Sequence, residues 1–138
     1  MNKHKLNQYR ALQKEIPLIK KKLDRLYERM DNIPTVMGKV KASSKEFPYI
    51  ERHVSVEMAE PKEADEIKTQ IAINEERLKN AKADKLEIES FIAGIQDSTD
   101  RLIFELVYQQ GKKLEEVGDM VGYTKGRISQ KISNILKD

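Results

Sequence analysis

A group of side chains between residues 124 and 131 could do chemistry of one kind. They are Thr124, Lys125, Arg127, Ser129, Gln130 and Lys131, which combine cations with groups that form hydrogen bonds. Lysine and arginine neutralise phosphates, whereas amides and hydroxyls bond to the edges of bases. No acidic residue follows Thr124 until Asp138, so nothing in this stretch would repel a polyanion. The pattern predicts contact with nucleic acid.

The residue types needed for catalysis are missing or badly spaced. His4 and His53 are the only histidines, there is no cysteine, and no His-x-x-x-His pair could hold a metal. The paired glutamates at 75–76 and 115–116 are helical neighbours, which point about 100° apart and do not share a substrate. No glycine-rich phosphate loop or nucleophile elbow is present. We expect no enzyme, no cofactor and no metal site.

Three short helices are predicted around the cationic group, at residues 98–110, 114–121 and 125–137. Asp97 is a favourable N-cap for the first helix, and Gly111 is a favourable residue to end it. Two helices joined by a three-residue turn that contains glycine form a helix-turn-helix, whose second helix enters the major groove of DNA.

Particular residues suit the turn of this motif. Gly118 provides the small contact point that a close helix crossing needs, and Gly122 can adopt a left-handed turn conformation. Thr124 is expected to cap the last helix. Tyr123 and Ile128 are predicted to fill the gap between the two helices.

Upstream, two long segments carry apolar stripes of helical spacing. The first stripe is a heptad pattern: Tyr9, Leu12, Ile16, Ile19, Leu23, Leu26, Met30 and Ile33. The second is interrupted twice, by Asn74 and Lys85: Ile67, Ile71, Asn74, Leu78, Ala81, Lys85, Ile88, Ile92 and Ile95. Such stripes pack helix against helix. Pro17 is expected to kink the first helix or to start a new one.

Between the two long segments, residues 33–61 hold prolines and alternate in polarity. The alternation at residues 50–58 is typical of a half-buried strand, and residues 36–41 are expected to pair with it as a hairpin. A two-stranded ribbon is marginal alone, so it would have to pack on the helices or on a partner.

Composition limits the setting of the protein. The 138 residues carry 26 basic and 23 acidic side chains, a net charge of +3, and 36% of all residues are charged. No apolar run approaches the roughly 20 residues of a spanning helix, and the polar N-terminal residues do not form a secretory signal. We expect a cytoplasmic protein without a membrane partner.

The predicted fold is mainly α. Residues 1–96 form a long, coiled-coil-like helical hairpin with a short β or irregular connector at 33–61, and residues 97–138 form a helix-turn-helix bundle. The stripes suit pairing within one chain or between chains. We favour a hairpin whose remaining apolar surface also makes a homodimer.

The run LEEVGDMVGYTKGRISQ at residues 114–130 resembles region 4 of the sigma-70 family, the helix-turn-helix that reads the −35 promoter element. The resemblance extends over residues 97–138 and implies double-stranded DNA as a partner, with RNA polymerase as a further one. It implies that the contacts to bases and nearby phosphates are made by Lys125, Gly126, Ser129 and Gln130, with Arg127 on the DNA side. Lys131 stands where the family has an apolar residue.

The whole layout is similar to prophage proteins of Gram-positive bacteria that are described as sigma-70-like or as late-gene regulators. The similarity rests on the basic N-terminal helix, Pro34-Thr35, residues 40–49, the second long helix and residues 95–98. No counterpart of the sigma region that melts the −10 element is visible, so we do not expect a complete sigma factor.

The leading hypothesis is a phage-type DNA-binding transcriptional regulator that reads a promoter-like site. The expected DNA-binding residues are Lys112, Lys113, Thr124, Lys125, Gly126, Arg127, Ser129, Gln130 and Lys131. The cations among them are expected to neutralise phosphates, and Gln130 with Lys125 and Ser129 to specify bases. Two alternatives are a phage terminase small subunit for DNA packaging and a coiled-coil adaptor without a nucleic-acid role.

Overall fold

The computed structural model describes the backbone of residues 1–43 and 47–137, and the side chains of residues 1–33 and 62–137. No strand occurs in this described backbone, which confirms the mainly α fold class. The helices are α1 (Lys3–Asn7), α2 (Tyr9–Ser43), α3 (Phe47–Ala93), α4 (Ser98–Phe104), a π-helical turn (Glu105–Gln109), α5 (Leu114–Val121) and α6 (Lys125–Lys137).

The chain forms two compact units. One unit contains Met1–Ile16 together with Asn80–Asp138, and the other contains Pro17–Lys79. The first unit joins the two ends of the chain because the N-terminal residues contact the C-terminal helices. Lys3 Nζ, for example, donates a hydrogen bond to Ser133 Oγ at 3.3 Å.

In the unit formed by residues 17–79, the predicted stripes of α2 and α3 face each other. Leu26 and Ile33 pack on Ile67 in a buried cluster that also includes Met30, Ala64 and Ile71. The Tyr27 hydroxyl donates a 2.7 Å hydrogen bond to Glu75 Oε1, and this bond raises the pKa of Tyr27. The pairing of earlier α2 residues with later α3 residues shows that the helices run antiparallel within one chain.

The unit that contains the chain ends shows the same antiparallel arrangement. The Tyr9 hydroxyl donates to Glu89 Oε2 at 3.2 Å, and Ile88 and Ile92 are buried. Burial is the main cause of the raised pKa of Tyr9. All eight predicted heptad positions of α2 are buried or half-buried. The stripe therefore predicted the buried face of this helix correctly.

Asn74, which interrupts the second stripe, is 2% exposed. Its Nδ2 donates a 2.8 Å hydrogen bond to the Gln70 carbonyl, one turn earlier in the same helix. The buried NH₂ group thus has a local partner, which lowers the cost of placing the amide in an apolar seam.

The predicted β connector is wrong: α2 continues through residues 36–41, and α3 already covers residues 50–58. Residues 44–46 lie outside the described residues. The apolar positions 50, 54 and 58 also have helical spacing, and each residue added to an existing helix gains a backbone hydrogen bond, whereas an isolated ribbon is marginal. Pro48 lies in the first turn of α3, where a missing N–H costs no helical bond.

Pro17 neither ends α2 nor begins a new helix, contrary to one of the two outcomes expected for it. Leu12, Ile16, Ile19 and Leu23 are buried on both sides of the proline. Burial of these apolar side chains compensates for the hydrogen bond that the proline cannot donate.

Aromatic packing joins the end of α3 to the C-terminal helices. Phe104 is fully buried, with its ring 6.2 Å from that of Phe91 in an edge-on arrangement and 5.6 Å from that of Tyr108. Burial raises the pKa of Tyr108. Asp97 caps α4 as predicted, because its carboxylate accepts a hydrogen bond from the Asp100 N–H at 2.9 Å.

The segment predicted as one helix, 98–110, is α-helical only to Phe104. The next five residues form a wider π-helical turn, in which the Gln110 N–H donates to the Glu105 carbonyl at 3.0 Å. This turn keeps both Leu106 and Tyr108 buried. Gly111 ends the segment with a φ of +70°, as expected for a terminating glycine.

The hairpin packing can be tested with two isoleucines on one helix. Ile67→Ala removes a side chain that is 2% exposed, so we expect it to lower the free energy of unfolding by about 2–5 kcal/mol. Ile73→Ala is the matched control, because Ile73 is 53% exposed and its loss should cost less than about 1 kcal/mol. Urea denaturation of both variants measures the difference, and equal costs would contradict the assigned seam.

Candidate nucleic-acid interface

The turn between α5 and α6 is built on two glycines. Gly122 has a φ of +81°, and the N–H groups of Gly122 and Tyr123 donate to the Gly118 carbonyl at 2.8 and 2.9 Å. A Cβ on Gly118 would overlap the carbonyl oxygen of Tyr123. The small residue at 118 is therefore required by the turn backbone, and not by the facing helix as the sequence suggested.

Helix α6 has one buried side and a capped beginning. The Thr124 hydroxyl accepts a hydrogen bond from the Arg127 N–H at 3.2 Å, so Thr124 is the N-cap that was predicted. Ile128 is fully buried and Ile132 is 4% exposed, while Ile135 and Leu136 are half-buried. These side chains fix the rotation of the helix about its axis.

The opposite side of α6 faces solvent. The exposed residues on it are Lys125, Gly126, Arg127, Ser129, Gln130 and Asn134. The structure thus brings together on one open surface most of the side chains that the sequence singled out on this helix. A surface of cations, amides and a hydroxyl without a carboxylate can bind phosphates and hydrogen-bond to base edges.

Two of these side chains are paired with each other. Arg127 Nη1 donates a 3.0 Å hydrogen bond to Gln130 Oε1, one turn further along the helix. This bond uses one lone pair of the amide oxygen and leaves the Gln130 NH₂ group available as a donor. Both side chains are exposed on the outer side of α6, and the bond between them does not cover that side.

Lys125 has only a weak partner. Its Nζ lies 4.0 Å from Glu115 Oε1, and the two side chains are 62% and 76% exposed. Exposed pairs of this kind contribute little, about 0–1 kcal/mol, so a phosphate can displace the carboxylate at small cost.

Lys131 has a different environment from the one expected of a DNA ligand. Its Nζ lies 3.0 Å from Asp100 Oδ1 on α4, and both side chains are less than 20% exposed. The ammonium also lies 5.3 Å from the centre of the Tyr123 ring. Lys131 therefore joins α6 to α4 and to the turn, and its positive charge is paired within the domain.

The predicted role of Tyr123 is wrong as well. Its side chain is 37% exposed, and the gap beneath the turn is filled by Ile128 and Val117, both fully buried. The Tyr123 ring instead lies against the Lys131 ammonium, an arrangement in which the ring face attracts the cation.

The remaining predicted cations precede α5. Lys113 is exposed and occupies the N-cap position of α5 without a side-chain capping bond, while Lys112 is half-buried. Neither forms an ion pair with a carboxylate in the part of the chain whose side chains are described. Both positive charges remain available to an anion.

Sequence reasoning missed Asp100, which holds Lys131. One signal pointed toward the pair: a lysine at a position that is apolar in sigma-like sequences indicates an inward-facing residue. Asp100 itself could not be found, because it lies 31 positions before Lys131 in the sequence, on the other side of α5 and the turn.

Comparison with known protein families agrees with this geometry. Residues 97–138 match the family model of sigma-70, region 4. These residues therefore form a sigma-70 region 4-like domain, a DNA-binding helix-turn-helix. No curated protein and no solved structure matches the chain.

None of the helices in the described residues is both long enough and apolar enough to span a bilayer.

The turn geometry predicts opposite effects for two glycines. Gly118→Ala places a methyl group against the Tyr123 carbonyl, so we expect a loss of unfolding free energy of about 1–3 kcal/mol. A Cβ on Gly126, in α6, would have no neighbouring atom within 4 Å. Because alanine has a higher helix propensity than glycine, Gly126→Ala should raise the free energy of unfolding by up to about 1 kcal/mol. Thermal unfolding shows whether each variant is destabilised or stabilised. A Gly118→Ala variant as stable as the unmodified chain would contradict the turn geometry.

The Lys131–Asp100 contact can be tested with a double-mutant cycle. Lys131→Ala and Asp100→Ala should each lower the free energy of unfolding by about 1–3 kcal/mol, since each leaves a largely buried charge without its partner. The double variant should be less destabilised than the sum of the two singles. Strictly additive costs would show that the two residues do not interact.

Proposed function

We propose that this chain is a DNA-binding transcriptional regulator whose C-terminal domain reads a promoter-like duplex. The observation that carries the proposal is the rotation of α6. Ile128 and Ile132 are buried, so Lys125, Arg127 and Gln130 all face solvent. In a helix-turn-helix this outward side of the second helix enters the major groove.

Affinity would come chiefly from phosphate neutralisation. Lys112, Lys113, Lys125 and Arg127 can each release counterions from the duplex, because none of them has a buried carboxylate partner. We do not include Lys131 among the cations that neutralise phosphates, because its ammonium is paired with Asp100.

Base preference would come from Gln130, assisted by Lys125 and Ser129. The Arg127 bond leaves the Gln130 NH₂ group free, and this group is suited to acceptors in the groove, such as the O6 and N7 atoms of guanine or the N7 of adenine. A good contact of this type discriminates by about 1–3 kcal/mol.

The biological setting belongs to the proposal. The layout of the chain is similar to prophage regulators, so we propose a phage-type regulator that acts on DNA in the cytoplasm of a bacterium. A sigma-like domain is suited to contact RNA polymerase when it binds next to a promoter. The long helices would then set the oligomeric state or dock RNA polymerase.

The division between affinity and specificity predicts different outcomes for two variants. Gln130→Ala should broaden the set of duplexes recovered by selection from a random pool, with a nearly unchanged salt dependence of binding. Lys113→Ala should leave the selected sequence unchanged and reduce the slope of log K against log salt by about 0.9 or less.

Gln70→Ala is the control for these variants, because Gln70 is an exposed amide in the other compact unit, and it should change neither the selected sequences nor the salt dependence. Identical effects of Gln130→Ala and Lys113→Ala would overturn the division of roles. Absence of any salt-sensitive duplex binding at low ionic strength would favour the adaptor hypothesis. A ring-sized mass in solution would favour the terminase hypothesis.

A further inference from the structure

The cations of the unit formed by Met1–Ile16 and Asn80–Asp138 fall into two groups. Some are neutralised inside the unit. Lys5 forms a hydrogen-bonded ion pair with Glu87, which raises the pKa of Lys5, and Lys131 pairs with Asp100. The carboxylates of Glu87 and Asp100 thus weaken the attraction of these two lysines for an external anion.

Arg10 belongs to the other group. It is exposed, and the part of the chain whose side chains are described provides no carboxylate that pairs with it. Its position is nevertheless defined, because its side chain lies directly against Gly111. A Cβ added to Gly111 would come within 2.6 Å of Arg10 Cζ and 2.7 Å of Arg10 Cδ. The Arg10 side chain therefore lies beside the Gly111 backbone, immediately before Lys112.

This contact places Arg10, from the N-terminal segment, beside the loop that precedes α5. Lys112 and Lys113 follow Gly111 directly, so their Cα atoms lie within roughly 8 Å of the Gly111 Cα. Arg10 and the two lysines therefore lie close to one another at the loop that leads into α5.

The segment that carries Arg10 is held by several contacts. Leu6 is fully buried and Tyr9 is 4% exposed. The Asn2 side chain caps α1 by accepting from the Lys5 N–H at 2.8 Å. Lys3 Nζ also donates to Ser133 Oγ on α6, at 3.3 Å. Arg10 is therefore presented by a packed element rather than by a loose tail, so little backbone entropy would be lost on binding.

We propose that Arg10 is a DNA phosphate ligand, and that together with Lys112 and Lys113 it extends the DNA interface beyond the helix-turn-helix onto the N-terminal segment. The inference rests on the proposed function of α6. The occupant is DNA because the patch is continuous with the beginning of α5, and the first helix of a helix-turn-helix crosses the phosphate backbone. A guanidinium can bond to phosphate through two parallel N–H groups, which fixes position as well as adding charge.

The test is the salt dependence of duplex binding by the full chain, measured by fluorescence anisotropy between 50 and 200 mM KCl. Arg10→Gln should reduce the slope by about 0.9, which corresponds to a roughly three- to fourfold smaller loss of affinity over this range. Arg10→Lys should retain most of the slope. Arg25→Gln is the matched control: it removes the same charge from an exposed arginine in the other compact unit and should leave the slope unchanged.

The outcomes separate this inference from the proposed function. If the unmodified chain shows no salt-sensitive duplex binding, the proposed function fails. If the chain binds and Lys113→Ala reduces the slope, but Arg10→Gln behaves like Arg25→Gln, only the assignment of Arg10 fails.

A second measurement is independent of the stability of Arg10→Gln. The chain has no cysteine, so Gln13→Cys provides a unique exposed attachment point one turn from Arg10 for an iron chelate that cleaves nearby DNA. Cleavage of bound duplex from position 13, at nucleotides next to those cut from Lys113→Cys, supports the extended interface. Absence of cleavage from position 13, with cleavage from position 113, overturns it.

Discussion

The burial of Ile128 and Ile132 beneath α6 is the constraint on which the functional surface depends. A helix has only one rotation about its axis that hides both isoleucines, and that rotation places Lys125, Arg127 and Gln130 in solvent. Polar residues inside the bundle would cost free energy unless they found partners, so the apolar and polar sides of the helix reinforce the same orientation. The turn glycines are also required, because Gly118 and Gly122 allow the backbone to form the turn that joins the two helices.

The Lys131–Asp100 pair adds a second restraint on the same helix. It ties α6 to α4 through a contact with little solvent access, and the Tyr123 ring covers the ammonium from the turn. A reading helix must be held rigidly if its side chains are to distinguish bases, since misplacement weakens directional hydrogen bonds. A lysine that the sequence suggested as a DNA ligand thus holds the helix whose outward residues we propose as DNA contacts.

Much of the fold and some of the site could be predicted from the sequence. Heptad spacing predicted the buried side of α2, and the positions of Asp97, Gly111, Gly122 and Thr124 predicted where helices begin and end. These features depend on local chemistry, which a sequence displays directly. The connector was mistaken because its alternating apolar residues also fit a helix, and the π-helical turn was missed because it depends on burying Leu106 and Tyr108 together. The contacts of Lys131 with Asp100 and of Arg10 with Gly111 join residues that are far apart in sequence, so no local pattern could reveal them.

The central claim is that the solvent-facing side of α6 contacts DNA. Backbone amide NMR of the full chain, titrated with duplex DNA at low ionic strength, tests it most directly. If this side of α6 contacts DNA, the largest chemical-shift changes will occur at Lys125, Arg127, Ser129 and Gln130, with smaller changes at the buried Ile128 and Ile132. Saturable binding that leaves the outward residues of α6 unchanged, and shifts another surface instead, would contradict it.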